Sequence, residues 1–224
     1  MKILFIDAST KSLCLGIYNN AKVYEYNLET GRKLSSLISV TIKRVVEAAG
    51  LQISDIDYFA CGLGPGSFTG MRVVIATIKA LSYALKKPII GISTLDILAS
   101  GVKDANALIV PIIDAKRNLI HCSVYKRKNH RLLRLSPYAL LSEEDFFRKV
   151  KSNSVLLGDA VALYKDKILQ NIKGVKVLDN DYWYPKAHNM IELVLDRIKR
   201  KKFMDAFSVK PIYLYPKECQ ICRA

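Results

Sequence analysis

The same order of segments runs through the chain twice. Three strand-like runs, "KILFIDAS", "SLCLGIYN" and "KVYEYNLE", lead into "KLSSLISVTIKRVVEAAG". There Leu34, Leu37, Ile38, Ile42, Val45 and Val46 recur with helical period, and Gly50 is a stop signal. A strand-like "IDYFACGLG", an apolar helix "GMRVVIATIKALSYALKK", a buried strand "PIIGIS" and a short helix "TLDILASGV" follow. Then the pattern returns. "NALIVPIIDAKR", "NLIHCSVYKR" and "RLLRLSPYAL" read as three strands. "SEEDFFRKV" reads as a helix begun at Ser142, "SVLLGD" as a strand, and "AVALYKDKILQ" as a helix. "PKAHNMIELVLDRIKRKK" reads as an amphipathic helix opened by Pro185. Strands followed by alternating helices and strands specify an α/β protein, and the repeat specifies two halves of related topology. The join falls near Gly101–Asn106, giving domains at 1–102 and 103–224. The second domain is degenerate, and its last helix and extended tail are expected to pack back on the first.

The glycine-rich turn "CGLGPGSFTGMRV" sits between a strand and a helix, the usual place for a phosphate cradle. It matches neither common fingerprint. Gly70 is followed by Met71 and Arg72 where a Walker loop needs Lys-Ser/Thr, and the third Rossmann glycine is replaced by Ser67 or Thr69. Two readings remain: a weak anion site built from Ser67, Thr69 and backbone amides, or a tight turn that seats the helix on the sheet, with Thr69 as N-cap. Asp7 and Asp114 end matching strands. They could serve a metal-bound nucleotide in a kinase, or each could cap its own turn. The helix after the loop is apolar almost all round, so both of its sides should be covered, by an internal layer or by another chain.

Other chemistries lack their residues. His121, His130 and His188 lie far apart, with no helical metal pair, and no Gly-x-Ser-x-Gly elbow exists. Cys14, Cys61 and Cys122 sit in apolar runs and read as reduced, buried thiols; Cys219 and Cys222 form a lone pair without a second pair for zinc. No metal is expected. No apolar run reaches the ~18 residues of a membrane span. Asp7 interrupts the first apolar run, so that run reads as a strand and not a leader, and a cytoplasmic protein is expected. The net charge is +15 and uneven: from Asp114 onward there are 23 Lys/Arg against 12 Asp/Glu. "KRKNHRLLR", "RKVK" and "RIKRKK" carry much of it, either as a polyanion-binding surface or as a solvated one.

"IDAST" at Ile6–Thr10, "GLGPGSFTGMRVVIATIKALSYAL" at Gly62–Leu85 and "PIIGISTLDILA" at Pro88–Ala99 resemble the TsaB (YeaZ) family, as do "DAKR" at Asp114–Arg117 and "KPIYLYPK" at Lys210–Lys217. The resemblance is strong in the N-terminal half and looser beyond it. It implies a duplicated actin-like ATPase (ribonuclease H-like) fold and a non-catalytic subunit in tRNA threonylcarbamoyladenosine synthesis. The implied partners are a TsaD-type catalytic subunit and a TsaE-type ATPase, with a homodimer when alone and tRNA contacted through the complex. No membrane is involved, and no cofactor is expected except ATP or ADP at the complex interface. The implied interface lies on the first two helices, at Leu37, Thr41, Val45, Met71, Ile75, Ile78 and Ser82. Asp7, Ser9, Gly64, Gly66, Ser67 and Thr69 form a vestigial nucleotide-binding set. The alternative is an active ATP-dependent kinase of the same fold; a metallopeptidase would need the missing histidine pair. Two departures stand out: "RKLSS" at Arg32–Ser36 replaces the family's His-Ser-Glu, and Leu119 and His121 replace its acidic and aromatic residues.

Overall fold

A computed structural model describes residues 1–29, 31–103, 106–129 and 131–215. Cys219 and Cys222 lie outside the described residues. The first sheet holds β1 (Lys2–Asp7), β2 (Ser12–Asn19), β3 (Lys22–Glu29), β4 (Tyr58–Gly62) and β5 (Ile89–Ile92) in the order β3-β2-β1-β4-β5. β1, β2 and β3 form an antiparallel meander, and β4 and β5 run parallel to β1. The second sheet holds β6 (Leu108–Asp114), β7 (Leu119–Cys122), β8 (Tyr125–Lys128), β9 (Arg131–Arg134), β10 (Ala139–Ser142), β11 (Ser154–Leu157) and β12 (Lys176–Val177). Its path, β10-β7-β6-β11-β12, repeats the first order strand for strand. This is the ribonuclease H-like arrangement, present twice.

The helices are α1 (Leu34–Ala48), α2 (Phe68–Leu85), α3 (Thr94–Ser100), α4 (Glu143–Lys149), α5 (Val161–Asn171) and α6 (Ala187–Lys199). Period-2 alternation divides β1 between two cores. Leu4 and Ile6 pack under α1 and α2, with Ile38, Ile42, Val74 and Ile78. Ile3 and Phe5 face the other way, onto Ile97 of α3 and Met190 and Val194 of α6. In the second sheet Val110 and Ile112 pack under Phe146 of α4 and Val161 of α5, while Ile109 and Ile113 meet Leu95 and Leu98 of α3. Helix α3 therefore lies between both sheets, with Ile97 turned to one core and Leu95 and Leu98 to the other.

Three sequence readings change. "NLIHCSVYKR" and "RLLRLSPYAL" are each two strands. The chain bends at Ser123–Val124, where Val124 N donates to Ser136 Oγ at 2.9 Å and Ser123 Oγ donates to Ser136 O at 2.9 Å. β7 then keeps its place beside β10, and β8 and β9 leave as a hairpin with no counterpart in the first sheet. The N-cap of α2 is Ser67 and not Thr69, because Ser67 Oγ accepts from Gly70 N at 3.2 Å and satisfies a first-turn amide. Helix α2 is also long and apolar enough to cross a membrane by length and composition, with a mean hydropathy of 1.3. Its inner side is packed on the first sheet, yet only 33% of it is buried.

Candidate functional site

The glycine loop is shaped for close backbone packing. A Cβ at Gly66, where φ is 152°, would collide with the Ser9 carbonyl, and one at Gly70 would collide with the Ala8 carbonyl. Two amides of the turn are committed inside the protein: Ser67 N donates to Ser9 O at 2.7 Å, and Gly70 N to Ser67 Oγ at 3.2 Å.

The two strand-end carboxylates cap their turns. Asp7 Oδ1 accepts from Ser9 N at 2.7 Å, and Asp114 Oδ1 accepts from Lys116 N at 2.8 Å, the same i to i+2 bond in both halves. Asp7 also accepts from Thr94 Oγ1 at 2.7 Å and is fully buried, pressed against Gly62. Burial pushes its carboxyl above the usual value, against the pull of the Ser9 amide and the Thr94 hydroxyl. Of the expected nucleotide-binding set, Ser9, Gly66, Ser67 and Thr69 line the cleft between the halves, and Asp7 and Gly64 do not.

That cleft encloses about 1030 Å³. Ser9, Lys11, Gly66, Ser67, Thr69 and Arg72 approach it from one side, and Asp114, Lys116, Arg117, His121 and Asp159 from the other. Asp159 accepts from Asp114 N at 3.0 Å, and burial pushes its carboxyl up to about 6. His121 is 3% exposed, and its Nδ1 has no hydrogen-bond partner among the described residues. Burial takes its pKa down to about 4, against the attraction of Asp114. Tyr215 closes the cleft rim: its hydroxyl donates to Ala115 O, and its ring meets His121 edge-on at 6.1 Å.

The expected interface residues are placed mostly inside this chain. Thr41, Val45, Met71, Ile75, Ile78 and Ser82 are all buried in this chain's own fold, and only Leu37 is half-buried. Ser82 Oγ donates to Lys87 O at 2.6 Å, and Thr41 Oγ1 to Leu37 O at 2.8 Å. These residues face the sheet because it offers the larger apolar surface. The outer side of α2 is a different stripe: Arg72, Ala76, Ala80, Tyr83 and Ala84 are exposed, beside Val40 of α1. Aromatic pairs flank this stripe at both ends. Phe68 lies 5.5 Å from Tyr213, with the Arg72 guanidinium 3.7 Å above the Phe68 ring. Tyr83, 70% exposed, meets Phe207, 78% exposed, edge-on at 6.1 Å. The run of alanines at positions 76, 80 and 84 was the sequence signal for this side. Phe207 and Tyr213, over 120 residues later in the chain, gave none.

A family described as "TsaD: tRNA N6-adenosine threonylcarbamoyltransferase" matches residues 28–167. The chain belongs to the TsaB (YeaZ) branch of this TsaD-type family. It is 29% identical to the "tRNA threonylcarbamoyladenosine biosynthesis protein TsaB" of Buchnera aphidicola subsp. Schizaphis graminum, over 92% of this chain and 98% of that one. It is 26% identical to the protein of the same name from Escherichia coli K12, over 96% and 94%. The solved structure of YeaZ from Pseudomonas aeruginosa superposes with a TM-score of 0.82 at 21% identity, over 95% of this chain and 99% of that one, and so shares the fold.

Proposed function

We propose that this chain is a non-catalytic subunit of a cytoplasmic complex for tRNA threonylcarbamoyladenosine synthesis. It docks a TsaD-type catalytic subunit through the outer face of α1 and α2, and pairs with itself through that face when alone. A TsaE-type ATPase completes the complex, and any ATP or ADP sits where a partner finishes the site. The observation that carries this reading is the exposed stripe Val40, Ala76, Ala80 and Ala84, flanked by Tyr83–Phe207 and Phe68–Arg72–Tyr213. Small side chains let a partner helix come close, and aromatic and arginine side chains at such a surface are the groups that dominate binding energy. An apolar helix with seven of its eighteen residues exposed fits a surface that a second chain covers. The names of the Buchnera and Escherichia coli relatives support the pathway. The close backbone packing at Gly66 and Gly70 and the buried Asp7 support a subunit that leaves the chemistry to its partner.

Light-scattering chromatography of this chain, alone and mixed with its TsaD-type partner, tests the reading. Ala80→Arg places a charge in the middle of the stripe. It should weaken the heterocomplex at least ~30-fold, the size of a hot-spot loss, with an unchanged melting temperature. Ile78→Arg, in the core at 0% exposure, should instead unfold the chain. An Ala80→Arg protein that binds as well as wild type would remove this surface from the complex.

The cleft favours one second reading, nucleotide binding as in a kinase of the same fold, because Lys11, Arg72, Lys116 and Arg117 all line it. Tight Mg-ATP binding by the isolated chain in calorimetry would support that reading.

A further inference from the structure

The hairpin β8–β9 has two faces of opposite character. Tyr125 and Arg127 turn inward and anchor it. Tyr125 Oη donates to Asp96 Oδ1 at 2.8 Å, and Arg127 donates to Val102 O at 2.7 Å and to Ser100 O at 2.6 Å. Its guanidinium also meets Glu192 at 3.4 Å. Arg127 is thus a structural residue, 6% exposed and unavailable to a ligand. The outward face carries Lys126, Lys128 and Arg131, all exposed. Lys128 stands directly opposite Arg131, and none of the three has a carboxylate partner among the described residues.

Arg134 stands opposite Tyr125, on the inward face, and lies 4.0 Å from the centre of the Tyr138 ring. Tyr138 Oη donates to Asp96 at 3.0 Å. Asp96 in turn lines a small recess of about 190 Å³ together with Asp196, Arg197, Arg200 and Lys202 at the end of α6. The acidic groups along this path are already engaged: Asp96 by two tyrosine hydroxyls, Asp196 by Arg200 at 2.9 Å, and Glu192 by Lys103 at 2.9 Å and by Arg127.

Like charges placed directly across a strand pair work against the hairpin. They are held there on a rigid, well-anchored base. A polyanion relieves that repulsion and gains counterion release from each contact. We propose that the outward face of β8–β9, with Lys126, Lys128 and Arg131, binds the phosphate backbone of RNA. This deepens the proposed function, on which the choice of tRNA as the RNA rests. The face is separate from the α1–α2 stripe, so one chain could hold both partners at once.

The test is fluorescence anisotropy with an unmodified tRNA transcript across a salt series, for the full chain alone and with its TsaD-type partner. The variant Lys126→Gln/Lys128→Gln/Arg131→Gln removes three contacts. Its log K against log salt should flatten by about 2–3, at roughly 0.7–0.9 per phosphate, and its affinity near ~0.1 M salt should fall tenfold or more. A control variant, Lys22→Gln/Lys165→Gln/Lys173→Gln, loses the same charge at exposed positions elsewhere and should keep the wild-type slope. Lys126→Glu provides a single-site check should the triple variant fail to fold. Light scattering on the same proteins reads the partner complex separately. If the heterocomplex never forms while tRNA binding still depends on the hairpin, the docking reading fails and this one stands. Equal losses in hairpin and control variants would overturn it. So would no tRNA binding by wild type in either state, or a triple variant that loses the protein partner yet binds tRNA as tightly as wild type.

Discussion

At His121, burial and a neighbouring carboxylate pull in opposite directions. Burial lowers the pKa, Asp114 raises it, and burial wins, leaving about 4 against an ordinary 6.5. The unfolded chain therefore binds more protons between those values, so this group contributes stability above pH 6.5 that is lost as pH falls towards 4. Asp159, on the same wall of the cleft, has the opposite sign. Burial holds its carboxyl at about 6 against an ordinary 3.8, so the folded chain holds more protons, and stability falls as pH rises through that window. Each effect is worth roughly 3 kcal/mol at about 1.4 kcal/mol per unit, and the two nearly cancel in wild type between pH 4 and 6. His121→Asn should unmask the Asp159 slope, with melting temperature falling as pH rises from 4 to 6. Asp159→Asn should unmask the histidine slope, with melting temperature rising. Thermal melts across that range check both; variant profiles parallel to wild type would show that neither group is perturbed as described.

Between elements, the glycine loop decides how α2 meets the sheet. At Gly70 the contact is backbone, the Ala8 carbonyl, and it cannot rotate away. Gly70→Ala should therefore cost about 2 kcal/mol or more, since overpacking against a rigid neighbour forces the helix start outward. Chemical denaturation should show a lower midpoint with little change in slope; a midpoint within error of wild type would mean that the turn gives freely. Element order was legible in the sequence, because period 2 and period 3.6 leave distinct marks in β1, α1 and α2. The hairpin was not, since the bend at Ser123–Val124 depends on bonds to Ser136, thirteen residues on from Ser123. The apolar stripe of α2 was legible too, but the residues expected to meet a partner are buried in this chain's own fold. Periodicity finds an apolar side and does not say whether sheet or partner covers it. Here the large residues Ile75 and Ile78 went to the sheet and the alanines to solvent. The cleft was half legible: Asp114 and Ser67 were singled out at their turns, while Asp159 was not, because its place comes from a bond to the Asp114 amide, 45 residues earlier in the chain.

Across the whole molecule, α3 is the element that makes two sheets one body. Its seven residues carry apolar side chains to both cores, with Ile97 among Phe5 and Ile90 and Leu98 among Ile109 and Leu157. Thr94 bonds Asp7 of the first half, and Asp96 accepts from Tyr125 and Tyr138 of the second. Helix α6 follows the second sheet in sequence but closes the far side of the first, so the chain crosses between the halves again at its end. A fold tied in this way should lose both sheets together. Leu98→Ala removes side-chain volume only from the second core, where Leu98 is 3% exposed, and should cost about 2–5 kcal/mol. If α3 transmits that loss, amide exchange should accelerate in β1 and β4 by the same free energy as in β6 and β11, with one unfolding transition. If α3 is merely a linker, exchange should accelerate in β6 and β11 alone, leaving β1 and β4 at wild-type rates. The bonds from Thr94 to Asp7 and from Asp96 to the two tyrosines favour the first outcome, because the small helix cannot shift for one sheet without breaking its contacts to the other.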